Sequence, residues 1–294
     1  MAYVNGRFLP LADAKTSVED RAYQFADGVY EVVKFYGRNA VRLEPHLVRL
    51  MESSAHLRIA GGPGLDEWKT IIEQLATENE LVDDETNEYI LYQQVSRGVA
   101  PRNHLFPKDA IEPSVVAYFR KAPVYSREQR ETGIALSLQP DERWNRCYIK
   151  SVCLLPAVMA KQAAADAGCF EALLVRNGIV TEGSATNTYC VREGIVYTHP
   201  TGPHILTGVT RTLVFEAAEK AGVEIREEAV TPDQFAAADE AFISSTTMGI
   251  MPATRLDGKP VGKSGKPGPV TRQLAQALDA IVASELRGHE VTAK

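Results

Sequence analysis

The spacing of apolar residues changes several times along the chain, and each change marks a structural element. Near the N-terminus, "AYVNGRFL" (2–9) alternates on either side of Asn5-Gly6, a dipeptide suited to a two-residue hairpin turn. "GVYEVVKFYGRNAVRL" (28–43) predicts a second hairpin, turning at Gly37-Arg38-Asn39. The spacing then becomes helical. Leu43, Leu47, Leu50 and Leu57 form one stripe, and Trp68, Ile71, Ile72 and Leu75 form another. Runs at "EYILYQQVSRG" (88–98) and "PSVVAYFRK" (113–121) predict two more strands.

The polar, proline-containing stretch "KAPVYSREQR" (121–130) interrupts this pattern. We read it as a linker between a small N-terminal α/β domain, 1–120, and a larger C-terminal domain, 131–294. Beyond it, strands are predicted at "IALSLQ", "CYIKSV", "EALLVRN", "IVTEGSA", "TYCVREGIVYTH" and "EAFISST". Helices are predicted at "PAVMAKQAAADAG", "VTRTLVFEAAEKAG" and "TRQLAQALDAIVASEL", with Gly168 and Gly222 where C-caps belong. Strands and helices do not alternate regularly. The expected class is mixed α/β, α+β-like, rather than a parallel doubly wound sheet.

Composition narrows the function classes. The chain of 294 residues is 45% hydrophobic and 24% charged, with net charge −6 and no block of Lys or Arg. A nucleic-acid partner or an acidic membrane surface needs a basic footprint, so neither is expected. No apolar run approaches the roughly 18 residues of a spanning helix, and "MAYVNGRFLP" lacks the apolar core of a signal peptide. Cys147, Cys153, Cys169 and Cys190 show no C-x-x-C spacing. They read as buried thiols of a cytoplasmic protein, with no metal site.

One stretch is chemically awkward: "DERWNRCYIKSVCLLP" (141–156) sets a lysine against an apolar run. As a strand it directs Arg146, Tyr148 and Lys150 to one face and Cys147, Ile149 and Ser151 to the other. A neighbouring cation and a low dielectric favour the neutral amine, the form that attacks a carbonyl; a snorkelling lysine is the plain alternative. Three further signals lie downstream. Glu182 in "VTEGSATNTYC" ends a strand beside small residues that let a ligand approach the backbone. In "HILTGVTRTLVFEAAEKAG" the amides of Val209 and Thr210 fall in a first helical turn, a seat for phosphate or an ordinary cap. "ISSTTMGIMP" adds Ser245, Thr246 and Thr247 at a strand end. Together a lysine, an acid and phosphate seats suggest pyridoxal 5′-phosphate. Elsewhere, Pro101 and Pro107 keep "SRGVAPRNHLFP" extended, so Arg102 and His104 project to one side as a carboxylate trap, or remain a solvated arginine and a capping histidine.

The chain resembles the class IV aminotransferases, the fold type IV pyridoxal-phosphate enzymes, and among them the bacterial D-amino-acid transaminases. The resemblance rests on "EDRAYQFADGVYEVVKFYG", "HLVRLMESS", "YQQVSRGVAPRNHLFP", "RCYIKSVCLLPAVMAKQ", "VTEGSATN", "YTHPTGPHILTGVTR" and "STTMGIMP". It implies a two-domain fold with Lys150 as the Schiff-base lysine and proton shuttle in the C-terminal domain. It further implies Glu182 on the pyridine nitrogen, Arg49, Val209, Thr210 and Thr246 on the phosphate, and Leu206 against the ring. Tyr30, Arg102 and His104 would hold the substrate, the last two on its α-carboxylate and from the neighbouring subunit of a homodimer. The implied reaction is transamination of a D-amino acid such as D-alanine with a 2-oxo acid such as 2-oxoglutarate. Branched-chain and (R)-amine transaminases, and 4-amino-4-deoxychorismate lyase, are the alternatives on the same scaffold.

Overall fold

The computed structural model describes residues 1–262 and 264–292. The chain forms two compact units. The first comprises Met1–Ala122 with Ile149–Cys153, and the second Pro123–Tyr148 with Leu154–Gly288.

In the first unit, β1 (Ala2–Val4) and β2 (Arg7–Leu9) form the expected hairpin, with both Asn5 and Gly6 at positive φ. A short helix, α1 (Arg21–Phe25), is capped by the Asp20 side chain and ends at Ala26 in the left-handed region. It leads into β3 (Gly28–Tyr36) and β4 (Asn39–Ala40), then α2 (Leu43–His56) and α3 (Leu65–Glu78), and finally β5 (Glu88–Ser96) and β6 (Ser114–Lys121). The six strands run antiparallel in the order β2-β1-β6-β5-β3-β4. One sheet face meets the helices. Val29, Val33, Phe35 and Leu91 from the strands join Leu47, Leu50, Trp68, Ile72 and Leu75 in one core. Each such side chain contributes about 1.5–3 kcal/mol by leaving water.

The second unit opens with α4 (Arg127–Thr132), started by a reciprocal Ser126–Gln129 capping box. Then come β7 (Ile134–Pro140), α5 (Leu155–Asp166), β8 (Glu171–Arg176), β9 (Ile179–Gly183), β10 (Asn187–Arg192) and β11 (Ile195–Thr198). They are followed by α6 (Val209–Ala221), β12 (Ile225–Glu227), α7 (Pro232–Ala236), β13 (Glu240–Ser245), β14 (Gly249–Leu256), β15 (Lys259–Pro260) and α8 (Pro269–Thr292). The sheet order is β12-β11-β10-β13-β14-β7-β8-β9, with β15 on β14. Only β11·β12, β14·β7 and β7·β8 are parallel, so the sheet is mixed, as the irregular strand–helix order implies. Leu136, Leu173, Cys190, Phe235, Ile243 and Met251 fill its core.

Three local readings change. The unit boundary falls at Ala122–Pro123; Lys121 still belongs to β6, and Arg127 already begins α4. "CYIKSV" is not a strand. Its backbone turns sharply where the Ser151 N–H donates to the Ile149 carbonyl, and Val29–Ser151 is its one bridge. The alternation survives all the same, with Cys147, Ile149 and Ser151 buried and Arg146 and Tyr148 exposed. Lastly, the Lys150 segment folds with the first unit, not with the C-terminal domain where the sequence reading places it. The Tyr30 N–H donates to the Lys150 carbonyl and the Val152 N–H to that of Gly28, covering the edge of β3, while Ile149 joins the first core.

Candidate active site

The site residues fall into separate groups, best described one unit at a time. Along β3, Val29, Val33 and Phe35 enter the core, and Glu31 shares their parity and is fully buried. A carboxylate there needs cationic partners. Arg49 and His46, three apart on α2, supply them. Arg49 Nε and Nη2 donate to the two Glu31 oxygens at 2.6 and 2.9 Å, and His46 Nδ1 lies 2.8 Å from Oε2. Burial alone would raise the Glu31 pKa, but the charges and hydrogen bonds of Arg49 and His46 outweigh it and hold it at about 2. Burial lowers the pKa of His46, and the nearby Arg49 and Lys150 charges act in the same direction against the pull of Glu31.

Lys150 is pinned through its backbone: its N–H donates to Ser53 Oγ at 3.3 Å, and its carbonyl accepts from Tyr30 at 3.0 Å. Its Nζ stands 4.4 Å from the centre of the Tyr30 ring, which stacks on Tyr92 at 5.9 Å. The structure therefore brings Lys150 and Tyr30 together. Arg102 and His104 sit in an exposed loop, and both meet one aromatic ring. The Arg102 guanidinium is 5.0 Å from the centre of Phe25 and the His104 ring 5.3 Å from it.

In the second unit, Glu182 lies near the end of β9, buried. The Leu206 N–H donates to its two oxygens at 3.2 and 3.1 Å, Asn187 Nδ2 to Oε2 at 3.0 Å, and Arg143 Nη1 to Oε1. Arg143 is itself gripped by Asp141, through Nε at 2.8 Å and Nη2 at 2.9 Å. Burial pushes the Glu182 carboxyl up to about 7, against the pull of Arg143 and the Leu206 amide. A buried carboxylate with that much proton affinity is suited to a cationic N–H partner.

Gly208 stands at the N-cap of helix α6, and no side chain caps the helix. A Cβ at Gly208 would stand 2.3 Å from Asn187 Oδ1, so a larger residue there would have to push aside the amide that holds Glu182. The first-turn amides of Val209 and Thr210 thus meet no capping side chain, and the helix dipole favours an anion at this end. Thr246 occupies the turn between β13 and β14, half-buried. A buried acid of raised proton affinity and an uncapped, glycine-started helix fit the ring nitrogen and the phosphate of a pyridoxal group.

Sequence reasoning passed over Glu31, Phe25, Asp141 and Arg143. Glu31 was discoverable, because an acid in phase with Val29 and Val33 has to find a buried cation. Nothing in "DERWNR" announces that its first aspartate would orient its first arginine.

Comparison with known proteins fits this geometry. The family description amino-transferase class IV matches residues 28–256. The chain is 40% identical over 281 residues to the D-alanine aminotransferase of Bacillus licheniformis, covering 96% of each. It is 37% identical over 285 residues to that of Staphylococcus aureus strain MSSA476, covering 96% of this chain and 98% of the relative. Among solved structures it resembles the Escherichia coli branched-chain amino acid aminotransferase, with TM-score 0.87, 25% identity, and 97% and 95% of the two chains covered. The T.th. branched-chain amino acid aminotransferase, solved with pyridoxamine 5′-phosphate, gives TM-score 0.86, 27% identity, and coverage of 96% and 94%. With a match spanning most of its length, this chain belongs to the class IV aminotransferases.

Proposed function

We propose that the protein is a pyridoxal-phosphate-dependent transaminase that moves the amino group of a D-amino acid to a 2-oxo acid. The observation that carries this is the 40% identity to a D-alanine aminotransferase across 96% of both chains. The branched-chain enzymes share the fold at lower identity, which supports the scaffold more than their substrate.

Bound pyridoxal phosphate supplies an electron sink and carries the amino group between the two half-reactions. The chain's own residues do the rest. Lys150 holds the cofactor through Nζ and, when released, moves the proton at the substrate Cα. Glu182 keeps the ring nitrogen protonated, and its raised proton affinity supports that role. Arg49, the Val209 and Thr210 amides and Thr246 hold the phosphate, and Leu206 packs on the ring. Arg102, His104 and Tyr30 orient the substrate, the first two through its α-carboxylate. We further propose a homodimer. Leu105, 70% exposed, and Phe106, 43% exposed, support burial of the loop between subunits. The unpaired thiols support a cytoplasmic location.

The test is an assay with D-alanine and 2-oxoglutarate. Pyruvate should form beyond one equivalent per active site only when the acceptor is present. Pyruvate released from 4-amino-4-deoxychorismate with no acceptor would favour a lyase, and preference for L-leucine a branched-chain enzyme. Borohydride reduction followed by peptide mapping should fix the cofactor on the peptide containing Lys150, and an adduct elsewhere removes the assignment.

A further inference from the structure

The exposed loop that carries Arg102 and His104 has an unusually firm foundation. Asp27 Oδ2 accepts from both Arg21 Nε and Arg97 Nε at 2.8 Å, and Arg97 Nη2 reaches Asp27 Oδ1 at 3.0 Å. Arg97 also donates to the carbonyls of Arg58 and Leu57, at 2.9 and 2.7 Å, and lies 3.7 Å over the Phe106 ring. Arg21 Nη1 donates to the Asn103 carbonyl at 2.7 Å, midway between Arg102 and His104. The chain enters this region through Gly98 at φ +108, where a Cβ would meet the Glu112 carbonyl at 2.0 Å. Main chain and buried cations thus fix the loop from beneath.

On top of that base lies Phe25, the last residue of α1. Its ring is met by the Arg21 guanidinium at 4.7 Å, that of Arg102 at 5.0 Å and the His104 ring at 5.3 Å. An exposed arginine loses side-chain freedom when it grips a ligand. An aromatic face that already holds the guanidinium removes part of that cost and selects one orientation. We propose that Phe25 is a positioning residue for substrate recognition: its ring preorganises Arg102 and His104 as one carboxylate-binding pair, on the base built by Arg21, Asp27 and Arg97. The inference rests on the reading of Arg102 and His104 as the carboxylate grip.

A double-mutant cycle in the cofactor-loaded enzyme separates the two ideas. Phe25→Leu should raise KM for D-alanine about fivefold, the size of one partly exposed cation–π contact, with a much smaller change in kcat. Phe25→Tyr, which keeps the ring, should restore KM to within about twofold of the parent. Arg102→Ala should raise KM more, and adding Phe25→Leu to it should then raise KM clearly less than it does in the parent, because only the His104 contact to the ring remains. Inhibition by propionate, a bare carboxylate, should weaken in parallel. Should Phe25→Leu not fold, Phe25→Met serves, since it fills the space without an aromatic face. Fully additive effects, or equal loss in the Leu and Tyr variants, overturn the platform while leaving the carboxylate grip intact. An Arg102→Ala enzyme with unchanged KM sinks the grip itself, and the platform with it.

Discussion

Glu31 in the first unit and Glu182 in the second are both buried beside an arginine, yet the two end in opposite states. Glu31 is held at about 2, while Glu182 is pushed up to about 7. The difference lies in how each arginine is shared. Arg49 turns Nε and Nη2 on Glu31, and His46 adds a third contact. Arg143 gives Nε and Nη2 to Asp141 and only Nη1 to Glu182, and the Asp141 charge itself raises Glu182 further. A carboxylate saturated by cations is part of the framework. One whose cation is divided keeps affinity for more positive charge, which is what holding a protonated pyridine nitrogen demands.

Glu182→Gln should have the largest effect. It keeps the side-chain shape but removes the acceptor for a cationic N–H, so transamination should fall on the order of 10³-fold with the fold intact. Steady-state kinetics and a urea melt of the same preparation check this. A variant that unfolds, or one that turns over normally, contradicts the contrast. Glu31→Gln should behave in the opposite sense, because it leaves the half-buried Arg49 and the buried His46 facing an amide. Stability should fall by about 3 kcal/mol, read as a lower urea midpoint. Through Arg49, cofactor retention should weaken as well, measured as faster loss of pyridoxal phosphate on dilution. If stability is unchanged, Glu31 is not the framework residue its geometry describes.

How much of this was legible in the sequence differs between the same two groups. Glu31 stands in phase with Val29, Val33 and Phe35, so period-2 reading alone places an acid in the core. His46 and Arg49 follow at helical spacing with Leu47 and Leu50, and the whole triad is local in pattern. Helix α3 and hairpin β1–β2 are legible for the same reason, since side-chain period and turn chemistry act over a few residues. The surroundings of Glu182 are not local. Arg143 precedes it by 39 residues and Leu206 follows it by 24, so sheet topology assembles them, and no short-range spacing reports that. Lys150 shows both regimes. Its alternating neighbours survive as alternating burial, but its attachment to β3 spans the linker and contradicts the domain reading. Phe25, in phase with no stripe, carried no signal until the fold put Arg102 and His104 on its ring beside Arg21.

The smallest predicted effect is a slope in stability against pH, and it reads the contrast directly. Glu31 is depressed, so its contribution is complete above the usual carboxylate value and is lost only as pH falls through about 2. Between pH 5.5 and 7 it is constant. Glu182 is raised, so in that window the native state keeps a proton that the unfolded state has released. Its contribution therefore declines as pH rises, by roughly 1.5 kcal/mol between 5.5 and 7 in cofactor-free protein. His46 and His199, both lowered by burial, slope the other way, because the unfolded state binds their protons first as pH falls. They act equally in the parent and in Glu182→Gln, so the difference between the two proteins isolates Glu182. That difference should shrink when pyridoxal phosphate is bound, since a positive ring nitrogen favours the ionised carboxylate. A difference that stays flat in the cofactor-free protein would mean that the one N–H spared by Arg143 already ionises Glu182, and the two buried carboxylates would then be alike.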